Sequence, residues 1–114
     1  MIQVKKLQAI ADQAKGEVRL ALRGVEVVFA GCHNLTDLTW LLASGGRATG
    51  TDGGRVIIRH LSGSWVIRLR RGETVERCWL TDKQFSAFAN GLAPYLLDAR
   101  ECAGAGVTAR SAGS

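Results

Sequence analysis

The stretch from Arg55 to Leu80 constrains the fold more than any other part of this 114-residue chain. Apolar and polar side chains alternate in its first two segments, as they do in a strand whose successive side chains point to opposite faces. The triplets SGS at 62–64 and RGE at 71–73 interrupt the alternation and are typical of tight turns. The stretch therefore predicts three antiparallel strands, the last of them running from Thr74 to Leu80.

The alternation also assigns side chains of the first two strands to two faces. The side chains predicted to face the core are Val56, Ile58, Trp65, Ile67 and Leu69. The charged side chains predicted on the opposite face are Arg55, Arg59, Arg68 and Arg70. Arginine is a planar, permanently charged group that matches phosphate and carboxylate, so this face is a candidate anion-binding surface. The alternative is a solvated outer face on which the arginine stems cover apolar strand surface.

Further residues complete the predicted binding surface. Arg71 lies at the second turn, and Arg47 lies in the glycine-rich segment from Gly45 to Gly54. An aromatic side chain such as Trp65 or Trp79 is available to stack on bases. The glycine-rich segment has no lysine and lies between a predicted helix and a predicted strand, which does not fit a phosphate-binding loop. It is predicted to be a mobile loop.

Helices and a hairpin are predicted on either side of the central stretch. Residues 2–15 carry apolar side chains at helical spacing, and residues 17–30 alternate as a β-hairpin. A short helix is predicted after the N-cap Asn34, with Trp40 on its flank at the edge of the core. Residues 81–84, TDKQ, form a capping box that begins a further helix.

These elements predict a single α+β domain over residues 1–101. Their order is α-β-β-α-β-β-β-α, and five strands form one mainly antiparallel sheet with the helices packed on one face. Pro94 is predicted to break the last helix, and a short helical piece then runs to about Arg100. Residues 102–114 have too little apolar bulk to order themselves and are predicted to be a flexible tail.

Composition bears on partners and compartment. The net charge is +5, carried by eleven arginines and four lysines, which favours a polyanionic or acidic partner. No apolar run approaches the roughly 20 residues that span a bilayer, and the N-terminal residues lack the apolar core of a signal peptide. The expectation is a cytoplasmic protein, not bound to membranes, with reduced thiols.

The cysteines, histidines and carboxylates form no catalytic or metal-binding motif. Cys32 and His33 are adjacent, and adjacent side chains rarely point at each other as a thiol–imidazole pair requires. Together with His60 and Cys78 they lack the paired spacings of structural zinc sites. The carboxylates are scattered, and Cys78 has the pattern of a small buried hydrophobe. The sequence therefore predicts no enzyme, no metal and no cofactor.

One junction resembles a known class of protein. The segment WLTDKQF, residues 79–85, resembles the strand–helix junction of small single-strand-binding domains of the transcriptional-coactivator type. The resemblance covers about seven residues, and the predicted N-terminal helix and hairpin depart from that class. It implies a single-stranded nucleic acid as ligand and assigns no individual site residue.

Two non-catalytic functions are therefore open. The first is nucleic-acid binding, single strands favoured, with the arginines on phosphates. The second is a protein-interaction module. This would be either a homodimer that pairs the exposed strand from Thr74 to Leu80, or a small inhibitor that docks its basic face on an acidic partner. Inhibitors of nucleic-acid-processing complexes encoded by mobile elements have this size and lack an active site.

Overall fold

The structure contains two successive units, each made of four strands followed by one helix. The computed structural model describes residues 1–96. The first unit comprises β1 (Ile2–Val4), β2 (Leu7–Asp12), β3 (Glu17–Leu22), β4 (Val25–Ala30) and α1 (Cys32–Ser44). The second comprises β5 (Gly46–Thr49), β6 (Arg55–Leu61), β7 (Ser64–Arg71), β8 (Thr74–Thr81) and α2 (Asp82–Leu92), with a 3₁₀ helix at Ala93–Leu96. The four strands of each unit form an antiparallel sheet in sequence order.

The α+β class is confirmed, as are the hairpin of β3 and β4 and the three strands of the central stretch. The single five-stranded sheet is wrong, because residues predicted as helix and loop form strands instead. Residues 2–12 form the hairpin of β1 and β2, in which Leu7 pairs with Leu22 and Ala9 pairs with Leu20. Alternation across this pairing buries Leu7 and Ala9 completely. Tertiary packing therefore outweighs the helical spacing of this segment.

One hydrophobic core lies between the inner faces of the two sheets. The first sheet contributes Leu7, Ala9, Val18, Leu20, Leu22, Val25, Val27 and Phe29. The second contributes Val56, Ile58, Ile67, Leu69, Cys78 and Leu80. Each fully buried large apolar side chain stabilises the fold by about 1.5–3 kcal/mol, so this double layer makes the described residues one compact α+β domain.

Each helix joins an edge of one sheet to an edge of the other. The first helix, α1, packs against β4 and β5, and α2 packs against β8 and β1. These four strands are the outer strands of the two sheets. Apolar stripes that include Leu38 of α1 and Phe88 of α2 are buried there. The helices therefore close the two open sides of the sheet pair. The prediction that both helices pack on one sheet face is wrong.

The boundaries of α2 agree with the sequence. The hydroxyl of Thr81 accepts a hydrogen bond from the Gln84 amide at 3.1 Å, and the Gln84 side chain accepts one from the Thr81 amide at 3.0 Å. This confirms the capping box. The helix ends at Leu92, two residues before Pro94, and continues as the 3₁₀ helix. Neither described helix is long and apolar enough to cross a membrane. The predicted tail lies outside the described residues.

Asn34 does not act as the N-cap of α1. The N-cap is Gly31, and no side chain caps this helix end. The Asn34 side chain instead accepts a hydrogen bond from the Ala30 amide at 3.0 Å and donates one to the Thr49 carbonyl at 2.8 Å. It thereby links the end of β4 to the end of β5, and so joins the two sheets.

The glycine-rich segment is only in part a loop, so its prediction is wrong for Gly46–Thr49, which form a strand. Its first part forms β5, and residues 50–54 fold against the free edge of β4. The Thr51 amide donates to the Val28 carbonyl at 2.7 Å, and the Gly50 amide donates to the Gly54 carbonyl at 2.7 Å. A Cβ on Gly50 would lie 2.5 Å from the Val28 oxygen, so only glycine fits this approach.

Asp52 sits at the centre of this contact between the two units. Its carboxylate accepts hydrogen bonds from the amides of Val28 at 3.3 Å and Gly54 at 3.1 Å, and a further one from Arg71. Arg71 also donates to the Glu26 carbonyl at 3.2 Å. Burial raises the pKa of Asp52, but the bonds from Arg71 and the two amides outweigh burial and hold the pKa below its ordinary value.

Replacing Asp52 by alanine is expected to lower the free energy of unfolding by about 2 kcal/mol at neutral pH, since hydrogen bonds to a charged group are lost. Because the folded pKa is depressed, the carboxylate stabilises the fold above the unfolded pKa of about 3.9. That stabilisation is lost as the pH falls through the lower folded value. Urea unfolding between neutral and acidic pH measures both effects. The variant should lose less stability on acidification than the parent, and Asp37→Ala, at an exposed carboxylate, is the control. Equal acid sensitivity of Asp52→Ala and the parent would contradict this role.

Candidate functional site

Six arginines share the outer face of the second sheet. Paired residues of antiparallel strands point to the same face, and the register pairs Arg55 with Arg70 and Arg68 with Arg77. Arg59 and Arg47 occupy outward positions on β6 and β5. We call this surface the basic face and define it by Arg47, Arg55, Arg59, Arg68, Arg70 and Arg77. It contains all four arginines that alternation had assigned to one face.

The basic face has no compensating charge of its own. Arg55 and Arg70 are directly opposite each other, as are Arg68 and Arg77, and like charges in this position destabilise a sheet. No carboxylate occupies an outward position on β5 to β8. Within the described residues, none of the six arginines takes part in an ion pair. The positive charges on this face are therefore not balanced by carboxylates of the described residues.

The outer face of the first sheet carries charge in a different way. Its Arg19 is bonded to Glu26 at 3.3 Å and to Glu17 at 3.7 Å, both on the same sheet. The one arginine on this face thus has two acidic neighbours. A solvated sheet face in this protein thus mixes both signs of charge, and the basic face does not.

Arg68 is held in a shallow groove on the basic face. The groove measures about 200 Å³ and is lined by Ile57, Arg59, Leu61, Val66, Arg68, Arg77 and Trp79. The Nε atom of Arg68 is buried there and has no hydrogen-bond partner. A buried donor without a partner destabilises a fold by about 1–3 kcal/mol. This N–H group is available to an acceptor that enters the groove.

Trp79 is the tryptophan of the basic face. It points outward from β8 and exposes 49% of its surface. Trp65 lies on the opposite face, where its ring stacks between His60 and Phe85 at centroid distances of 4.4 and 4.0 Å. Its indole nitrogen donates to Asp82 at 2.7 Å. The inclusion of Trp65 in the binding surface is thus corrected: both ring faces are covered.

Two other positions also differ from the sequence prediction. Arg71 points away from the basic face and is bonded to Asp52, so it belongs to the contact between the units. Arg77, which was not predicted, lies on the face. The sequence of β8 could have predicted the position of Arg77, because Arg77 and Trp79 are two residues apart and point to the same face of the sheet. Arg47 pairs with Ile57 and lies on the face, although its segment was predicted to be a loop.

Two side chains from the first unit cover the free edge of β8. Lys5 donates to the Trp79 carbonyl at 2.7 Å, and Arg23 donates to the Arg77 carbonyl at 2.9 Å. Arg23 also forms an ion pair with Glu76 at 3.7 Å. Lys5 and Arg23 are turn residues with φ values of 55° and 47°. The two carbonyls are therefore already engaged, which limits pairing of this edge with another strand.

The cysteines and histidines are dispersed. Cys78 is buried in the core, which confirms it as a small hydrophobe. His60 bonds to Asp82 at 2.9 Å, and His33 is exposed in the first turn of α1. Cys32 is the first residue of α1, and the expectation of reduced thiols stays a prediction. In residues 1–96, no three His, Cys, Asp or Glu side chains come together as metal ligands.

In comparisons with known proteins, no family model, no curated protein and no solved structure matches the chain. No relative therefore assigns a role to the basic face. Its residues have to be judged by their own geometry and chemistry.

Replacing Trp65 by alanine is expected to lower the free energy of unfolding by about 3 kcal/mol, since the stack with His60 and Phe85 is removed. Replacing Trp79 by alanine should change it by less than about 0.5 kcal/mol, because that ring lies at the surface. Urea unfolding followed by circular dichroism compares the two variants. Equal losses of stability would contradict the separation of a structural from a surface tryptophan.

Proposed function

We propose that this protein binds nucleic acid through its basic face without catalysing a reaction. The observation that carries the proposal is a sheet face with six arginines that form no ion pair within residues 1–96, beside an exposed tryptophan. Phosphates would neutralise the repulsion between Arg55 and Arg70 and between Arg68 and Arg77. Binding of this kind needs neither a cofactor nor a metal. We expect it to take place in the cytoplasm.

The spacing of the charges suits a chain of phosphates. Neighbouring strands lie about 4.8 Å apart, and outward residues along one strand recur about every 6.6–6.8 Å. The guanidinium groups therefore form a grid with short repeats in both directions, and their flexible stems adjust the spacing further. A polyanion with regularly repeated charges can contact several of these groups at once.

Single strands fit this face better than duplexes. The face interleaves arginines with the apolar side chains Ile57, Val66 and Trp79. A single strand offers unpaired bases to stack on such side chains, whereas a duplex presents mainly its phosphates. Insertion of a helix into a major groove is disfavoured, since α1 contains no lysine or arginine and α2 contains only Lys83.

The resemblance of residues 79–85 to single-strand-binding domains points the same way. The predicted N-terminal helix and hairpin set this chain apart from that class. In the structure, the first unit consists of four strands followed by a helix, and so does the second unit. Of the two predicted departures, the N-terminal helix is therefore absent, and the hairpin is present as β3 and β4.

The protein-interaction alternative uses the same arginines for an acidic partner. Its homodimer form, by pairing of β8, is disfavoured by the bonds that Lys5 and Arg23 make along that edge. We therefore favour nucleic acid, and a protein partner is an outcome of the test below.

The double substitution Arg59→Ala/Arg68→Ala is expected to weaken binding of a labelled single-stranded oligonucleotide at least about tenfold at low salt. Loss of two phosphate contacts should also lower the slope of log affinity against log salt by about 1.4. Fluorescence anisotropy with single- and double-stranded oligonucleotides at several salt concentrations measures both quantities.

The matched control is Lys15→Ala/Arg19→Ala, which removes the same charge outside the basic face. Equal weakening in this control would show an effect of net charge and overturn the assignment to the basic face. No binding by the parent protein at low salt would overturn the nucleic-acid proposal. Polyglutamate and a pull-down would then test the acidic-partner alternative.

Replacing Trp79 by alanine is expected to lower affinity for single strands about tenfold through loss of base stacking. The salt slope should not change, because no charge is removed, and Trp79→Phe should retain most of the affinity. The same anisotropy measurement checks this. Full affinity in Trp79→Ala would contradict a stacking role for this ring.

A further inference from the structure

A second exposed tryptophan lies beside the basic face, on α1. Trp40 exposes 67% of its surface, so it is not part of the core edge as the sequence indicated. It lines an open cleft of about 560 Å³ between α1 and the β5 side of the second sheet. The other residues of the cleft are Asp37, Leu41, Gly45, Arg47, Ala48, Thr49, Arg55 and Ile57.

The two walls of this cleft differ in chemistry. Asp37 and Trp40 are three residues apart on α1 and therefore lie on the same side of the helix. The opposite wall carries Arg47 of β5 and Arg55 of β6. No ion pair joins Asp37 to either arginine in the described part of the chain. An indole and a carboxylate thus face two guanidinium groups across open space.

This division matches the two ends of a nucleotide. A base can stack on Trp40 while its N–H groups donate to the carboxylate of Asp37. A phosphate is repelled by Asp37 and attracted by Arg47 and Arg55, so it is directed to the sheet wall. The carboxylates of an acidic peptide are repelled by Asp37.

The cleft adjoins the groove that contains Trp79. Ile57 lines both depressions. Between them the basic face spans β8, β7, β6 and β5, which are three strand spacings or about 14 Å across. At the 3.4 Å rise of a stacked strand, this distance corresponds to about four bases.

We propose that the cleft is a second base-stacking site for the same single strand. The strand would cross the sheet from Trp79 to Trp40, perpendicular to the β-strands, with its phosphates on the arginines between them. This inference rests on the proposed function and adds a direction and a minimum length to it. It makes Trp40, Asp37, Arg47 and Arg55 a nucleotide-binding site at the end of the path.

A length series tests the path. Anisotropy is measured for labelled oligothymidylates of about 2 to about 16 nucleotides, from oligomers too short to span the path to the longest that single-strand-binding folds cover. Trp40→Ala should bind the shortest oligomer as the parent does and bind those long enough to reach the cleft about tenfold more weakly. Trp79→Ala should be weaker at every length. Trp40→Phe is the matched control, since it keeps a ring for stacking, and thermal unfolding verifies that each variant is folded.

The outcomes separate this inference from the proposed function. If the parent binds oligomers and Trp40→Ala equals it at every length, the second site is overturned and the basic face stands. A uniform loss at every length also overturns it, because Trp40 would then act on the strand segment already held by Trp79. If the parent binds no oligomer at any length, both proposals fall. The path is supported if Trp40→Ala has lower affinity than the parent for the longer oligomers only, and if Trp40→Phe keeps most of the parent's affinity for them.

Discussion

Burial of two sheet faces against each other is the constraint on which the rest of the structure depends. Each strand must turn its apolar side chains, such as Ile67 and Leu69 of β7, into the shared core. The intervening positions then point outward together. A slip of one residue would move Arg68 into the core and Ile67 to the surface, so the core fixes the register. The basic face is thus set by packing that lies on the other side of the same strands.

The contacts between the two units offset the destabilising effect of the basic face. Like-charge pairs and the buried Nε of Arg68 reduce the stability of the second sheet. The Asp52–Arg71 contact and the two helices hold this sheet against the first. None of these supporting groups points onto the basic face. The protein therefore separates the residues that maintain the fold from those available to a ligand.

How far the sequence predicts this structure depends on the segment. In β6 and β7 the alternation is unambiguous, and the two faces follow from it. In residues 2–15 the apolar set that includes Val4, Leu7 and Ile10 satisfies helical spacing, while Leu7 and Ala9 satisfy strand spacing. Only the pairing with β3, a long-range contact, decides between them. The alternation of side chains along β7 and β8 is enough to place Trp65 inward and Trp79 outward. The cleft at Trp40 depends on the packing of α1 beside β5, which no short stretch of the sequence predicts.

The reciprocal placement of the helices has a consequence for symmetry. Each helix lies against the last strand of its own unit and the first strand of the other, as two copies would around a twofold axis. In a dimer of identical units both outer faces would carry identical residues. Because the two units here belong to one chain, their faces can differ: one has Arg19 between two glutamates, and the other has six uncompensated arginines. The molecule therefore carries its positive charge mainly on one side, although the order of its strands and helices is repeated.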